Sequence, residues 1–149
     1  HQHRRTGIRQ LLLRFLRRPD AETDLAHLKA KVDAGCDFIT TQMFFDNKKY
    51  FEFVEQARKE RIAVPIIPGI KPLTKLSQLT ILPRIFHCDL PIELTTEAAK
   101  CKNDEDMRQL GIEWCVKQCK ELKAAGVPSI HFYSNGLADN VYEVAKQVY

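Results

Sequence analysis

Residues 38–47 read FITTQMFFDN, a β-branched run followed by a glutamine, two phenylalanines and an aspartate. Branched side chains lose rotamer freedom in a helix and pack well on a pleated surface, so residues 38–42 predict a buried strand. The glutamine is the unusual part. Gln42 brings one acceptor and two donors to the strand exit. It either caps loop backbone there or meets a ligand of mixed donors and acceptors, with Phe44 and Phe45 able to wall the cleft. Asp46 stands where its oxygen can accept from the first unpaired amides of the next helix.

Working outward, residues 24–34 read as a helix with Leu25, Leu28 and Val32 on one side, stopped by Gly35. Residues 48–61 read as a second, with Tyr50, Phe51, Phe53, Val54 and Ala57 inward. VPIIPGI, residues 64–70, is a continuous apolar run ended by Pro68 and Gly69, the pattern of a strand covered on both faces. A helix marked by Leu76, Leu79, Leu82 and Ile85 follows, bent or shortened by Pro83. Residues 92–100 and 104–125 are two more helices, the longer amphipathic through Met107, Leu110, Ile112, Trp114, Cys115, Cys119 and Leu122 and capped by Gly126. SIHFYS, residues 129–134, is a third strand, and residues 139–149 a closing helix.

Helices and strands that alternate with short connections imply parallel strands, arranged either as an open doubly wound sheet or as part of a (β/α)8 barrel. Both place chemistry at the carboxyl ends of the strands. No GxGxxG or GxxxxGK[ST] phosphate signature occurs.

The 149 residues are 44% hydrophobic, enough to bury one domain core, and no apolar run approaches the roughly 18 residues of a membrane-spanning helix. A formal net charge of +4 misleads, because Arg4, Arg5, Arg9, Arg14, Arg17 and Arg18 all precede the first acidic residue, Asp20. Without these six of the 23 basic residues, 17 face 19 acidic ones, which gives −2 and no electrostatic case for nucleic-acid binding. Five cysteines with no CxxC pair and no zinc-type spacing read as free, small apolar packers in a reducing compartment, with no metal site.

Residues 1–20 form an Arg-rich leader of uncertain origin, distinct in composition from the domain over residues 21–149. Ile8, Leu11, Leu12, Leu13, Phe15 and Leu16 could make the apolar face of a helix. Such a helix would be an out-of-family leader, a docking element for an acidic surface, or a targeting segment.

Three blocks in this order and spacing, LKAKVDAGCDFITTQMFFD, VPIIPGIKPL and IHFYS, resemble methylenetetrahydrofolate reductase over residues 23–149. The resemblance implies α/β architecture, a partial (β/α)8 TIM barrel binding FAD, whose three strands correspond to the last three βα units. It implies that Gln42, at the sixth strand's end, contacts the folate or nicotinamide ring and that Gln78 binds the pterin-like ring. It also implies that Leu82, four residues beyond Gln78, packs on the ligand. Asp24, His27 and Lys31 match FAD-contacting positions on the preceding helix, His27 standing where some relatives carry an amide. His131, Phe132 and Tyr133 fit the family's HFY block and read mainly as barrel structure, and Leu137 stands where some relatives carry a basic residue near the folate tail.

The implied reaction is reduction of 5,10-methylenetetrahydrofolate to 5-methyltetrahydrofolate, hydride passing from NAD(P)H through FAD, in cytoplasmic one-carbon and methionine metabolism. The general acid is expected in an N-terminal half absent from this chain, so no catalytic residue is assigned, and Asp46, Glu93 and Glu97 are not substituted for it. The chain alone is then expected to be inactive. Open strand edges at residues 38–42 and 129–134 would favour self-association or a complementing N-terminal half. The competing reading is a truncated, inactive relative acting as an interaction or half-barrel module.

Overall fold

A computed structural model describes residues 10–13, 21–86, 89–133 and 138–149. The elements are β1 (Gln10–Leu13), α1 (Ala21–Asp33), β2 (Phe38–Met43), α2 (Asn47–Lys59), β3 (Ile66–Ile70), α3 (Gln78–Phe86), α4 (Ile92–Ala98), α5 (Asp104–Ala124), β4 (His131–Phe132) and α6 (Ala138–Val148). The four strands lie in one sheet in the order β1-β2-β3-β4, every neighbouring pair parallel. Strand order follows chain order without the reversal that defines a doubly wound sheet, so the fold is a partial (β/α)8 barrel.

Two parts of the leader expectation change. Residues 10–13 form a strand rather than part of a helix face, and the remaining positions of that face lie outside the described residues. Gln10 pairs with Phe38 and Leu13 with Thr41, so the β2 edge expected to be open is covered. The β4 edge is different: this two-residue strand is shorter than the 129–134 expected and pairs only with β3 among the described strands.

Alternation sorts the strand side chains. Ile39 pairs with Ile66, and Ile70 with Phe132. Ile39, Ile66 and Ile70 pack with Leu25 and Leu28 of α1, Tyr50 and Ala57 of α2, Ile112, Cys115, Cys119 and Leu122 of α5, and Val144 of α6. Cys115 and Cys119 are therefore buried apolar packers with free thiols. A second cluster, Met43, Phe45, Leu73, Leu82, Leu94, Ala98 and Met107, joins the chain following β2 and β3 to α3, α4 and α5.

The α3 stripe is only partly as expected. Leu82 is buried and Leu79 packs against the second cluster, but Ile85 is 58% exposed. Spacing of three residues rotates successive side chains about 60° backwards around a helix. A series of i, i+3, i+6 and i+9 therefore drifts off its own face. Pro83 is accommodated inside this nine-residue helix.

Two local contacts tie helices to the sheet. Tyr50 stacks on Phe44 with centroids 5.5 Å apart and donates its hydroxyl to the Ile66 carbonyl at 2.6 Å. Gly111 of α5 presses on the chain after β3, where an added Cβ would lie 1.9 Å from the Leu73 carbonyl oxygen.

Burial pushes the Tyr50 hydroxyl up to about 12, outweighing the opposing pull of Arg58. The unfolded chain ionises first, so this tyrosine's contribution to stability is present below pH 10.0 and lost as pH rises towards 12. Tyr50→Phe is expected to cost about 1–3 kcal/mol at neutral pH and to remove this share of the alkaline loss, as measured by urea titrations at stepped pH. Gly111→Ala forces α5 off the Leu73 backbone and should cost at least about 1–3 kcal/mol, read as a lower thermal midpoint.

Candidate functional site

The carboxyl ends of β2, β3 and β4 are laced together through Thr41. Its hydroxyl oxygen accepts from the Gly69 amide at 2.9 Å, where the β2–β3 register is irregular between Thr40 and Met43. Its carbonyl accepts from the Tyr133 hydroxyl at 2.8 Å. To reach Thr41 from the end of β4, the Tyr133 ring crosses β3 at Gly69, where a Cβ would sit 2.6 Å from ring atom Cε2 and 2.4 Å from the Thr41 carbonyl oxygen. Only hydrogen fits there. Tyr133 N also donates to the Ile70 carbonyl at 2.8 Å, extending the β3–β4 pairing by one residue. His131, two residues back on the same side of the strand, meets Tyr133 edge to face at 4.6 Å.

Two buried polar side chains stand beside this lacing. Gln42, 6% exposed, follows Thr41, and Lys71, 5% exposed, follows the last residue of β3. Neither side chain makes a hydrogen bond or ion pair with another described residue. Desolvation holds the Lys71 ammonium below the usual lysine range. Burial likewise raises the Tyr133 hydroxyl.

Gln78 is the first residue of α3, after the loop that leaves β3. Its Oε1 accepts from the backbone amides of Thr74, at 2.7 Å, and Lys75, at 3.1 Å. The side chain thus fixes the loop with its oxygen and keeps its NH2 group for another acceptor. The same loop is held at Leu76, whose amide donates to Asp104 Oδ1 at 2.9 Å. Leu82 lies one turn beyond Gln78 in the second cluster, together with Met43, the neighbour of Gln42.

On α1, His27 and Lys31 are exposed, while Leu25, Leu28 and Val32 face the core. Asp24 is on the same helix, its side chain outside the described set. Lys29 pairs with Asp33 at 2.8 Å, which leaves the Lys31 ammonium out of that pair. Because α1 connects the end of β1 to the start of β2, its first turns lie level with the strands' carboxyl ends.

Some expectations change. Phe44 and Phe45 do not both wall a cleft: Phe44 is stacked on Tyr50 in the helix-facing core, and Phe45 is fully buried in the second cluster. Asp46 caps α2, accepting from the Lys48 amide at 3.0 Å. The described residues include no group of three or more His, Cys, Asp or Glu arranged to hold a metal ion. Lys71 went unread in the sequence, although a lysine directly after an apolar parallel strand is itself a signal, because strand ends are where ligands bind. Thr41 and the reach of Tyr133 had no sequence signal, since both depend on which strands are neighbours.

The chain's similarities agree with this geometry. Residues 14–149 match the sequence pattern of the methylenetetrahydrofolate reductase family. "Methylenetetrahydrofolate reductase (NADH) 1" of Arabidopsis thaliana is 38% identical over 114 residues, 76% of this chain and 19% of the relative. "Probable methylenetetrahydrofolate reductase (NADPH)" of Caenorhabditis elegans is 33% identical over 132 residues, 87% of this chain and 20% of the relative. The 5,10-methylenetetrahydrofolate reductase of Pectobacterium carotovorum is 33% identical over 125 residues, 83% of this chain and 42% of the relative. The chain thus spans about a fifth of the two eukaryotic relatives and under half of the bacterial one. A solved structure of an uncharacterized Clostridium thermocellum protein that binds two copies of 5-methyl-5,6,7,8-tetrahydrofolic acid superposes with a TM-score of 0.55 at 15% identity, covering 86% of this chain and 48% of that one. That likeness is one of fold. With the family pattern running over residues 14–149 and the strands in barrel order, the chain belongs to the methylenetetrahydrofolate reductase family.

Proposed function

We propose that the chain forms one wall of an active site in which 5,10-methylenetetrahydrofolate is reduced to 5-methyltetrahydrofolate with NAD(P)H by way of FAD. The observation that carries this reading is the pair of buried polar side chains, Gln42 and Lys71, at adjacent strand ends with no described partner. Their polar atoms are not sealed off without partners in the way Gln118 Oε1 is, so they stay available to a ligand or a further wall. The Gln42 amide suits the alternating N–H and C=O edge of a pterin or nicotinamide ring. Lys71 offers positive charge to an oxygen of the same ligand, and Gln78 contributes its NH2 group while its oxygen keeps the loop closed. Leu82 backs this wall through the cluster that contains Met43.

FAD, when bound, supplies the hydride transfer between nicotinamide and folate. The exposed face of α1 fits such a cofactor, since Lys31 presents a cation unengaged by the Lys29–Asp33 pair. In this reading Lys31 holds the pyrophosphate, with Asp24 and His27 on the same helix as further contacts. No residue of this chain is assigned the proton donation to folate; its part is to bind and orient. The relatives' names include both NADH and NADPH, so the nicotinamide preference stays open. No helix among the described residues is long and apolar enough to cross a membrane, which is compatible with cytoplasmic one-carbon metabolism leading to methionine.

A barrel pairs every strand edge, whereas β4 has β3 as its one described neighbour. An edge with no second neighbour among the described strands favours a second reading, a half-barrel module that associates with further βα units or with itself and does not catalyse alone.

Titrating FAD against the purified chain separates the readings: quenched flavin fluorescence supports the cofactor wall, and unchanged fluorescence favours the module. Gln42→Ala should weaken 5-methyltetrahydrofolate binding roughly tenfold by calorimetry, and equal affinity would sink the role given to the amide. Lys71→Met removes a buried charge, so it should melt higher than the parent near neutral pH. The gap should narrow as pH rises towards 10.5, because the folded parent sheds the lysine proton before the unfolded chain does. The same variant should bind the folate more weakly, which distinguishes a ligand contact from a purely structural lysine.

A further inference from the structure

An open cleft of about 300 Å³ lies between the β2–α2 junction, the start of α4 and the middle of α5. Two buried amides in its wall set its chemistry. Asn47 Nδ2 donates to the Gln118 backbone carbonyl at 3.1 Å and to Glu121 Oε1 at 3.2 Å. Gln118 Nε2 donates to Asn47 Oδ1 at 3.1 Å and to the Phe44 carbonyl at 3.2 Å. These four bonds fix which end of each amide carries nitrogen, since turning either one over would face oxygen against oxygen. The Gln118 side chain, 4% exposed, is therefore left with an Oε1 that has no hydrogen-bond partner. A buried acceptor in that state is rare and asks for a donor.

The other groups lining the cleft say which kind of donor. The Trp114 indole N–H is engaged by the Phe45 carbonyl at 3.0 Å, and both Asn47 and Gln118 have their N–H groups engaged. An anion gains little at the α2 N-terminus, because Asp46 already caps it with a carboxylate. Lys117 Nζ sits 5.2 Å from the centre of the Trp114 ring, and Lys48 is exposed. Acceptors remain: Gln118 Oε1, the second oxygen of Glu121, and the exposed Glu93 carboxylate, which makes no hydrogen bond or ion pair with another described residue. Trp114 and Pro91 add apolar surface between them.

We propose that this cleft binds an alkyl cation with several N–H donors, a guanidinium or primary ammonium on an aliphatic stem. The cationic head is held by Glu93, Glu121 and Gln118 Oε1, and the stem lies along the aromatic and proline surface. The cation is either a free amine or an arginine or lysine side chain of a polypeptide. The inference does not rest on the folate reading, because none of these acceptors belongs to the strand-end site.

Trp114 is the chain's one tryptophan, so its fluorescence reports on the cleft directly. Agmatine, or the blocked tripeptide Gly-Arg-Gly, should produce a saturable change that sodium butyrate and sodium phosphate at equal ionic strength do not. Tighter binding of the tripeptide identifies a polypeptide source, and tighter binding of agmatine a free amine. Glu93→Gln should weaken the tighter cation about fivefold or more, with an unchanged thermal midpoint because Glu93 is exposed, and Glu93→Asp should recover part of the loss. No saturable response to either cation, an equal response to butyrate, or an unaltered affinity in Glu93→Gln would overturn the proposal.

Discussion

The strand-end site depends on Thr41, which ties three strands together with one residue. Its hydroxyl takes the Gly69 amide at an irregular point of the β2–β3 ladder, and its carbonyl takes the Tyr133 hydroxyl from beyond β4. Hydrogen bonds of this kind contribute only about 1 kcal/mol each, net. Their importance is geometric. They fix the irregular step of the β2–β3 ladder between Thr40 and Met43, the step in which Gln42 lies. The absence of a side chain at Gly69 is the condition for this arrangement, because any Cβ would occupy the space of the Tyr133 ring.

Helix α5 holds the loops that carry the remaining groups. It takes the Leu76 amide with Asp104, meets the Leu73 backbone at Gly111, and binds the turn after β2 through Trp114 and Gln118. The segments leaving β2 and β3 are thus both fastened to one rigid element, and Met43, Phe45 and Leu73 pack them in one cluster. Lys71 and Gln78 sit at the two ends of the β3 loop and gain their positions from that attachment. A loop so held loses less entropy when a ligand binds, which is how a surface connection becomes a usable wall.

Much of the architecture was legible in the sequence. A β-branched run marked β2, a continuous apolar run marked β3 and helical spacing of apolar residues marked α2 and α5, and Asp46 was recognisable as a helix cap from its position alone. Ile85 was misread because a spacing of three mimics a helical stripe over one turn and drifts away from it over three. The leader was misread for a similar reason: an apolar cluster such as residues 8–16 fits an amphipathic helix or a strand, and only pairing with β2 decides between them over residues 10–13.

The site divides along the same line. Local order pointed to Gln42 and to the parallel strand ends as the place to look, because periodicity and capping act within a few residues of one another, whereas Gln78 and the α1 positions were named only through the resemblance of three sequence blocks to the family. Which polar groups ended up buried without partners was decided by tertiary contacts alone. Burial of Lys71, removal of Phe44 into the core and the lone Gln118 oxygen each depend on residues distant in the chain, whereas the Gln78 oxygen is used by its own loop, three and four residues away. Desolvation and hydrogen bonding are properties of neighbours in space, and only packing brings those neighbours together.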